Sequence, residues 1–215
     1  MPHLTASDLA KELDSSDKSL TWSQTRQLAS YLDLLVTWNA RMNLVGPGDW
    51  RTLYRTLILD SLQLADCLES LPLPSEPICL DIGAGAGIPG LPLRLVWPAG
   101  TYKLIEPRSK RATFLRFAIA SLGLERTQVF ESRAEEVPMP GNGADLLLSR
   151  AFCPWEEFLD RFGDLLGPDG LILFFSNEPW PPGRLCPAGW RMNIEHPYQT
   201  HQGHERYFWF FSPRT

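Results

Sequence analysis

The stretch Asp81-Ile82-Gly83-Ala84-Gly85-Ala86-Gly87-Ile88-Pro89-Gly90 holds the residue types best suited to grip a small molecule. Ile78-Cys79-Leu80 precedes it behind Pro77 and reads as a buried strand of a parallel sheet. Leu91-Pro92-Leu93-Arg94-Leu95-Val96 follows, short enough for two helical turns. A strand thus ends in a carboxylate, glycines let the chain turn sharply, and a helix starts close by. Without a Cβ a positive φ costs little, and a ligand can lie against bare backbone. Pro89 suits the first helical position, where its fixed φ helps and its missing N–H costs nothing. Such a bend is a nucleotide-type cofactor site. Its plainer reading is a glycine-rich turn beside two solvated acids.

The string Gly85-x-Gly87-x-x-Gly90 also satisfies the dinucleotide fingerprint. Two features argue against a pyrophosphate. Asp81 would turn its charge on phosphates that a helix N-terminus is meant to hold, and Pro89 removes one backbone donor. A carboxylate there suits a ligand with a positive end, such as the ammonium and sulfonium of S-adenosylmethionine. Tyr102-Lys103-Leu104-Ile105 reads as the next strand and ends at Glu106, an acid placed to accept from both ribose hydroxyls. Glu106 serves NAD equally well, so it supports an adenosine without choosing the cofactor.

Two regions must position these groups: a helical N-terminal extension over residues 1–70 and a main domain over 71–215. In the first, Thr21-x-x-Gln24 resembles a capping box, and Leu28, Tyr31, Leu32, Leu35, Trp38 and Met42 recur at helical spacing. After the turn Gly46-Pro47-Gly48, a second long segment carries Leu53, Leu57, Leu64 and Leu68 on one apolar face. The proline-rich run 72–77 cannot be helical and connects the two regions. From Ile78 strands and helices alternate, the signature of βαβ units and a parallel sheet. A helix is expected from Arg108 to Leu122, ended by Gly123, then a strand at Val129-Phe130. The run 138–143 reads as loop and Asp145–Ser149 as a fourth strand. A helix from Trp155 to Leu166 is expected to close at Gly167-Pro168-Asp169-Gly170, before a fifth strand from Leu171 to Phe175. Arg191–Ile194 and Tyr207–Phe211 look like two late antiparallel strands.

At 215 residues and 24.3 kDa the chain fits one domain with a small appendage. No apolar run reaches the roughly 18 residues of a membrane span, and no apolar signal region opens the chain. Cys67, Cys79, Cys153 and Cys186 are widely spaced without a C-x-x-C pair, which favours reduced thiols in a cytoplasmic protein. A net charge of −5 does not advertise a nucleic-acid binder, and no DNA partner is expected. Sixteen of the twenty basic residues are arginine, which suits pairing with phosphate and stacking on bases, or reflects a GC-rich genome. His201-x-x-His204 lacks Cys partners and sits in a glycine-containing turn, so no metal site is assigned.

With these residues in hand the chain resembles the bacterial 16S ribosomal RNA guanine-N7 methyltransferases, the RsmG or GidB family. The likeness runs from about residue 28 to the C-terminus. It rests on Trp38-Asn39-x-x-x-Asn43-Leu44, Leu59-Asp60-Ser61-Leu62 and the glycine motif extended by Pro89-Gly90-x-Pro92-Leu93. Lys110-Arg111-x-x-Phe114-Leu115, Ser132-Arg133-Ala134-Glu135-Glu136 and Ser149-Arg150-Ala151-Phe152 complete it. The resemblance implies an α/β class I methyltransferase with a Rossmann-like seven-stranded sheet, antiparallel in its final strand, behind a helical extension. It implies S-adenosylmethionine as donor and, as acceptor, guanine 527 in the 530-loop region of 16S ribosomal RNA. Asp81, Gly83, Ala84, Gly85, Gly87, Gly90 and Leu91 would hold the methionine part and Glu106 the ribose. Ala134 and Glu135 would lie along the adenine. Arg133 and Arg150 would face the RNA or order the pocket, Arg150 also counting toward the cofactor site.

Two departures stand out. Leu57 occupies the place of a family histidine before Leu59-Asp60-Ser61, and Ser176-Asn177 replaces a Lys-Gly pair after strand five. Both remove a cation from the expected substrate mouth. Guanine N7 is an unprotonated lone pair, so no general base is required and no catalytic residue is assigned; Arg150 and Asn43 are the candidates for substrate alignment. Asn39, Asn43 and Asp60 pin the extension beside the pocket or serve as structural caps. Lys110 and Arg111 are expected to meet RNA phosphates, whereas Arg116 is read as the wet side of its helix. The expected partner is 16S ribosomal RNA or the small ribosomal subunit, bound by a monomer. Two rival readings remain: a catalytically degenerate relative that binds RNA or ribosomes, and an NAD-dependent oxidoreductase.

Overall fold

Thr5 caps the first helix, α1 (Ala6–Asp14), in a computed structural model that describes residues 4–16, 18–138 and 141–214. The capping box at Thr21 and Gln24 is closed in both directions and starts α2 (Trp22–Met42). The inward stripe of α2 includes Leu28, Tyr31, Leu32 and Leu35. Asn43 ends it in the left-handed conformation, φ 50°. The second helical segment comprises α3 (Trp50–Leu53), a π-helical turn (Tyr54–Ile58) and α4 (Leu59–Glu69). That wider turn alters the expected apolar face. Leu53, Leu64 and Leu68 are buried, but Leu57 is only half-buried.

The rest of the chain builds one sheet from β1 (Ile78–Ile82), β2 (Thr101–Ile105), β3 (Thr127–Phe130), β4 (Ala144–Ser149), β5 (Leu166–Ser176), β6 (Trp190–Gln199) and β7 (Glu205–Pro213). Their order is β3-β2-β1-β4-β5-β7-β6. Strands β1 to β5 pair in parallel, and β7 runs antiparallel to both its neighbours. The seven-stranded, mostly parallel sheet with an antiparallel last strand is therefore present. Helix α5 (Gly90–Val96) follows β1, α6 (Ser109–Leu122) follows β2 and ends at left-handed Gly123, and α7 (Trp155–Phe162) follows β4. The order in which strands are added to the sheet switches sides between β1 and β4, the place where such sheets open a crevice at their carboxyl ends.

The expected end of the Trp155 helix needs correction. It stops at Phe162, and the run from Gly167 to Gly170 is not a turn but the opening of β5. A Cβ at Gly170 would stand 2.7 Å from the carbonyl oxygen of Ala144, so the glycine lets β5 press against the shifted start of β4. Within the expected loop at 138–143, Met139 and Pro140 lie outside the described residues.

One face of the sheet joins the helices of the N-terminal region in a core running from Leu9 through Leu32, Ile58 and Tyr102 to Phe210. The other face packs Leu80 and Ile82 against Phe158, Phe162, Phe174 and Phe211. Strand alternation assigns each side chain of β1 to one core or the other. That assignment decides what the glycine bend presents to a ligand.

Candidate active site

The bend after β1 is held by its neighbour. Gly83 and Ala84 donate their N–H groups to the carbonyl of Ile105 at 2.9 and 3.0 Å. Gly85 donates to Glu106 Oε2 at 3.0 Å, and Arg108 N–H donates to the other carboxylate oxygen at 2.9 Å. Gly87 N–H turns back to the Ala84 carbonyl at 2.7 Å, while the Tyr31 hydroxyl donates to the Ala86 carbonyl at 2.8 Å. Gly83 has φ 75°, and a Cβ there would overlap the ring of Phe152, which lies directly on the bare backbone.

These bonds weaken the dinucleotide reading. A pyrophosphate needs free amides in the loop, yet those of Gly83, Ala84, Gly85 and Gly87 are already given to protein oxygens.

Two cavities meet at Gly83 and Phe152. The larger, about 390 Å³, is lined by Gly83, Ala84, Gly85, Glu106, Arg111 and Arg150, with Leu44, Val45 and Leu57 reaching in from the helical region. The smaller, about 140 Å³, lies among Ile82, Pro107, Arg133, Ala134, Glu135 and Phe162. Glu106 is 3% exposed and stands in the wall of the larger one. Together they offer a carboxylate for hydroxyl groups, bare backbone, and a narrow, largely apolar slot. That donor set fits an adenosine carrying a charged tail.

Asp81 is placed differently from the expectation. It is 1% exposed and lines neither cavity. Its Oδ2 faces the Tyr102 hydroxyl at 3.4 Å, and a Cβ on Gly90 would come within 2.7 Å of it. In β1 it shares a face with Cys79, toward the helical core, so its carboxylate lies beneath the bend rather than on the rim. Burial pushes that carboxyl up to about 7. Gly87, Gly90 and Leu91 also support the bend from below: Leu91 is fully buried, and a Cβ on Gly87 would collide with it. The anionic group at the cavity wall is Glu106.

Arg150 lines the larger cavity but its guanidinium is engaged. It donates to the carbonyls of Leu57 and Thr56 at 3.0 and 3.2 Å and to Asp60 Oδ2 at 2.7 Å. Asp60, 2% exposed, also accepts from Arg206 at 3.0 Å. Asn39 bridges the chain after α2, accepting from Val45 N–H and donating to the Pro47 carbonyl, while Asn43 is an exposed helix end outside both cavities. Lys110 is exposed in the first turn of α6, and Arg133 is exposed at the smaller cavity. Arg116 pairs with Glu131 at 2.7 Å. Sequence reasoning did not single out Leu44, Val45, Pro107 or Phe152 as cavity walls. For Leu44 and Phe152 the signal was present, since both end motifs quoted above.

The strand order, the glycine bend after β1 and the acid after β2 define a class I methyltransferase. The fold is similar to the putative methyltransferase yhhF from Escherichia coli, with TM-score 0.54 and 20% identity over 74% of this chain and 89% of that one. It is likewise similar to a SAM-dependent methyltransferase from Aquifex aeolicus, with TM-score 0.52 and 17% identity over 74% of this chain and 92% of that one. Residues 24–178 match the model of the GidB family, rRNA small subunit methyltransferase G, and the chain belongs to that family. Relatives named ribosomal RNA small subunit methyltransferase G include one from Nitratidesulfovibrio vulgaris strain DP4, 48% identical and aligned over 86% of this chain and 84% of its own length. Another, from Lawsonia intracellularis, is 39% identical over 88% of this chain and 87% of its own.

Proposed function

We propose that this chain transfers a methyl group from S-adenosylmethionine to N7 of a guanine in 16S ribosomal RNA, at position 527 in the 530 loop. The observation that carries this reading is the buried Glu106 carboxylate, which takes the Gly85 amide and borders a cavity that shares the Gly83 and Phe152 wall with a smaller apolar slot. Family membership supplies the RNA acceptor.

When bound, S-adenosylmethionine supplies a methyl carbon on a sulfonium, which the N7 lone pair takes in line as the carbon–sulfur electron pair returns to sulfur. No proton leaves N7, so the chain contributes alignment and electrostatics rather than a base. Glu106 accepts from the ribose hydroxyls, and Ala134 with Pro107 flanks the adenine. Gly83 and Gly85 leave room for the methionine part on the backbone. Lys110 and Arg111 meet RNA phosphates at the start of α6. Arg150, bound to Asp60, orders the cavity wall.

The protein acts as a cytoplasmic monomer on 16S RNA or the small subunit that contains it. Among the described residues no helix is long and apolar enough to cross a membrane. Transfer of labelled methyl to purified small subunits that lack the mark, followed by mapping of the modified base, tests the proposal. Label on a guanine N7 in the 530 loop supports it; label elsewhere, or none, overturns it. A thermal shift with NAD but none with S-adenosylhomocysteine would favour the oxidoreductase instead.

A further inference from the structure

Next to the glycine-bend cavity lies another of about 400 Å³ at the carboxyl ends of β4 and β5, and both include Ala151 in their walls. Ala151 holds the left-handed conformation, φ 55°, which is strained for a residue with a Cβ. Trp155, Phe174, Phe175 and Trp209 give this cavity aromatic walls. Its far lip carries Asn177, Glu178 and Arg184. Arg184 is engaged, lying over the rings of Trp155 and Trp180 and pairing with Glu156 at 2.6 Å. The Glu178 carboxylate has no partner among the described residues. Only its backbone is fixed: Ser176 Oγ accepts from Glu178 N–H at 3.1 Å and donates to its carbonyl at 2.7 Å. A fixed stem thus presents a free, acceptor-only group to an aromatic cavity.

Resting on the methyltransferase reading above, we propose that this cavity takes the acceptor base and that Glu178 is the residue that selects guanine. Its two oxygens accept from guanine N1–H and the N2 amino group, while N7 faces the glycine-bend cavity past Ala151. Three features support this. A base drawn out of its stack is held between aromatic rings and read along its Watson–Crick edge. That edge of guanine presents two neighbouring donors, matching a carboxylate, whereas adenine puts the N1 lone pair there and is repelled. N7 lies across the purine from this edge, and Ala151 and Glu178 both line the cavity that would hold the base. Transfer also leaves the purine cationic, and a carboxylate bound to it is favoured more strongly as that charge develops.

The test compares methyl transfer by the full chain to small subunits reconstituted with guanosine or inosine at the target, inosine lacking the N2 amino group. Wild type is expected to prefer guanosine over inosine by about 10-fold or more, and Glu178→Ala to lose about 10- to 100-fold in kcat/KM on guanosine. Glu178→Ala should then treat the two bases alike, and Glu178→Gln should lose kcat more than it raises KM. S-adenosylhomocysteine affinity of both variants should match wild type, because Glu178 lies outside the donor cavities. Unchanged discrimination in an active Glu178→Ala overturns the assignment. If wild type transfers nothing even to guanosine subunits, the methyltransferase reading falls and this inference falls with it.

Discussion

Arg150 Nη2 lies 2.7 Å from Asp60 Oδ2, tying the end of β4 to the start of α4. The same guanidinium reaches the Thr56 and Leu57 carbonyls of the π-helical turn, so three acceptors from the helical region converge on one side chain. Asp60 in turn bridges Arg150 and Arg206. Asp60→Ala leaves two guanidiniums without a counter-charge beside the core and is expected to cost about 3–5 kcal/mol in urea denaturation. Arg150→Lys offers a point charge where a planar fork spans separate acceptors, and should lose part of that amount. A variant of either residue as stable as wild type would show that this network does not brace the site.

Glu106 joins the bend to the larger cavity. Glu106→Ala removes the acceptor of the Gly85 and Arg108 amides and, with it, the acceptor proposed for the ribose hydroxyls. Its dissociation constant for S-adenosylhomocysteine, measured by calorimetry, should rise by about 10- to 100-fold, the worth of a charge-assisted hydrogen bond. Glu106→Gln, isosteric but with one acceptor oxygen, should fall between Ala and wild type. Undiminished affinity in Glu106→Ala would remove this carboxylate from the donor site.

Asp81 gives the fold a pH dependence of definite sign. Burial raises its carboxyl to about 7, the Glu106 charge adds to the rise, and the Tyr102 hydroxyl and Gly90 amide oppose it. In the unfolded chain it titrates near an ordinary value of about 3.9. Between those values the folded state holds the extra proton, so Asp81's contribution to stability is complete below about pH 4 and is lost as pH rises through 7. Asp81→Asn does not titrate. Its stability relative to wild type should therefore improve by on the order of a few kcal/mol from pH 4.5 to pH 8. Denaturant titrations of both proteins at three pH values check this; a margin that does not change with pH contradicts it.

What the sequence disclosed depended on how local the information was. The bend, the acid after β2 and the strand order follow from contiguous runs whose glycines and apolar residues state their own conformation. The direction of Asp81 was within reach, because period-two alternation from Cys79 points it at the helical core; ligand chemistry had drawn it to the rim instead. Arg150 was singled out, but its pairing was beyond reach. Its partner Asp60 lies 90 positions upstream, and only the assembled sheet brings them together. The left-handed Ala151, which aims Phe152 at Gly83, has no glycine to mark it. The Gly167–Gly170 run looked like a turn because its composition is that of a turn, yet sheet pairing prevailed.

Lys110 and Arg111 occupy the first turn of α6, where there is no acidic residue and Arg108 provides no side-chain cap. Cations at a helix N-terminus oppose its dipole at about 0.3–1 kcal/mol each. Two such residues at one helix start, Arg111 lining the larger cavity and Lys110 exposed beside it, fit an anion supplied from outside, and an RNA phosphate meets that description. Lys110→Glu with Arg111→Glu should raise the melting temperature by a few degrees, about 2–4 °C per kcal/mol for a chain of this size. The same variant should transfer methyl to small subunits far more slowly than wild type. Neutral Lys110→Ala should weaken RNA binding and flatten its dependence on salt by about one phosphate contact. Arg116→Ala, which breaks only the exposed pair with Glu131, should transfer at close to the wild-type rate. Wild-type transfer and salt dependence in the charge-reversed protein would place the RNA elsewhere.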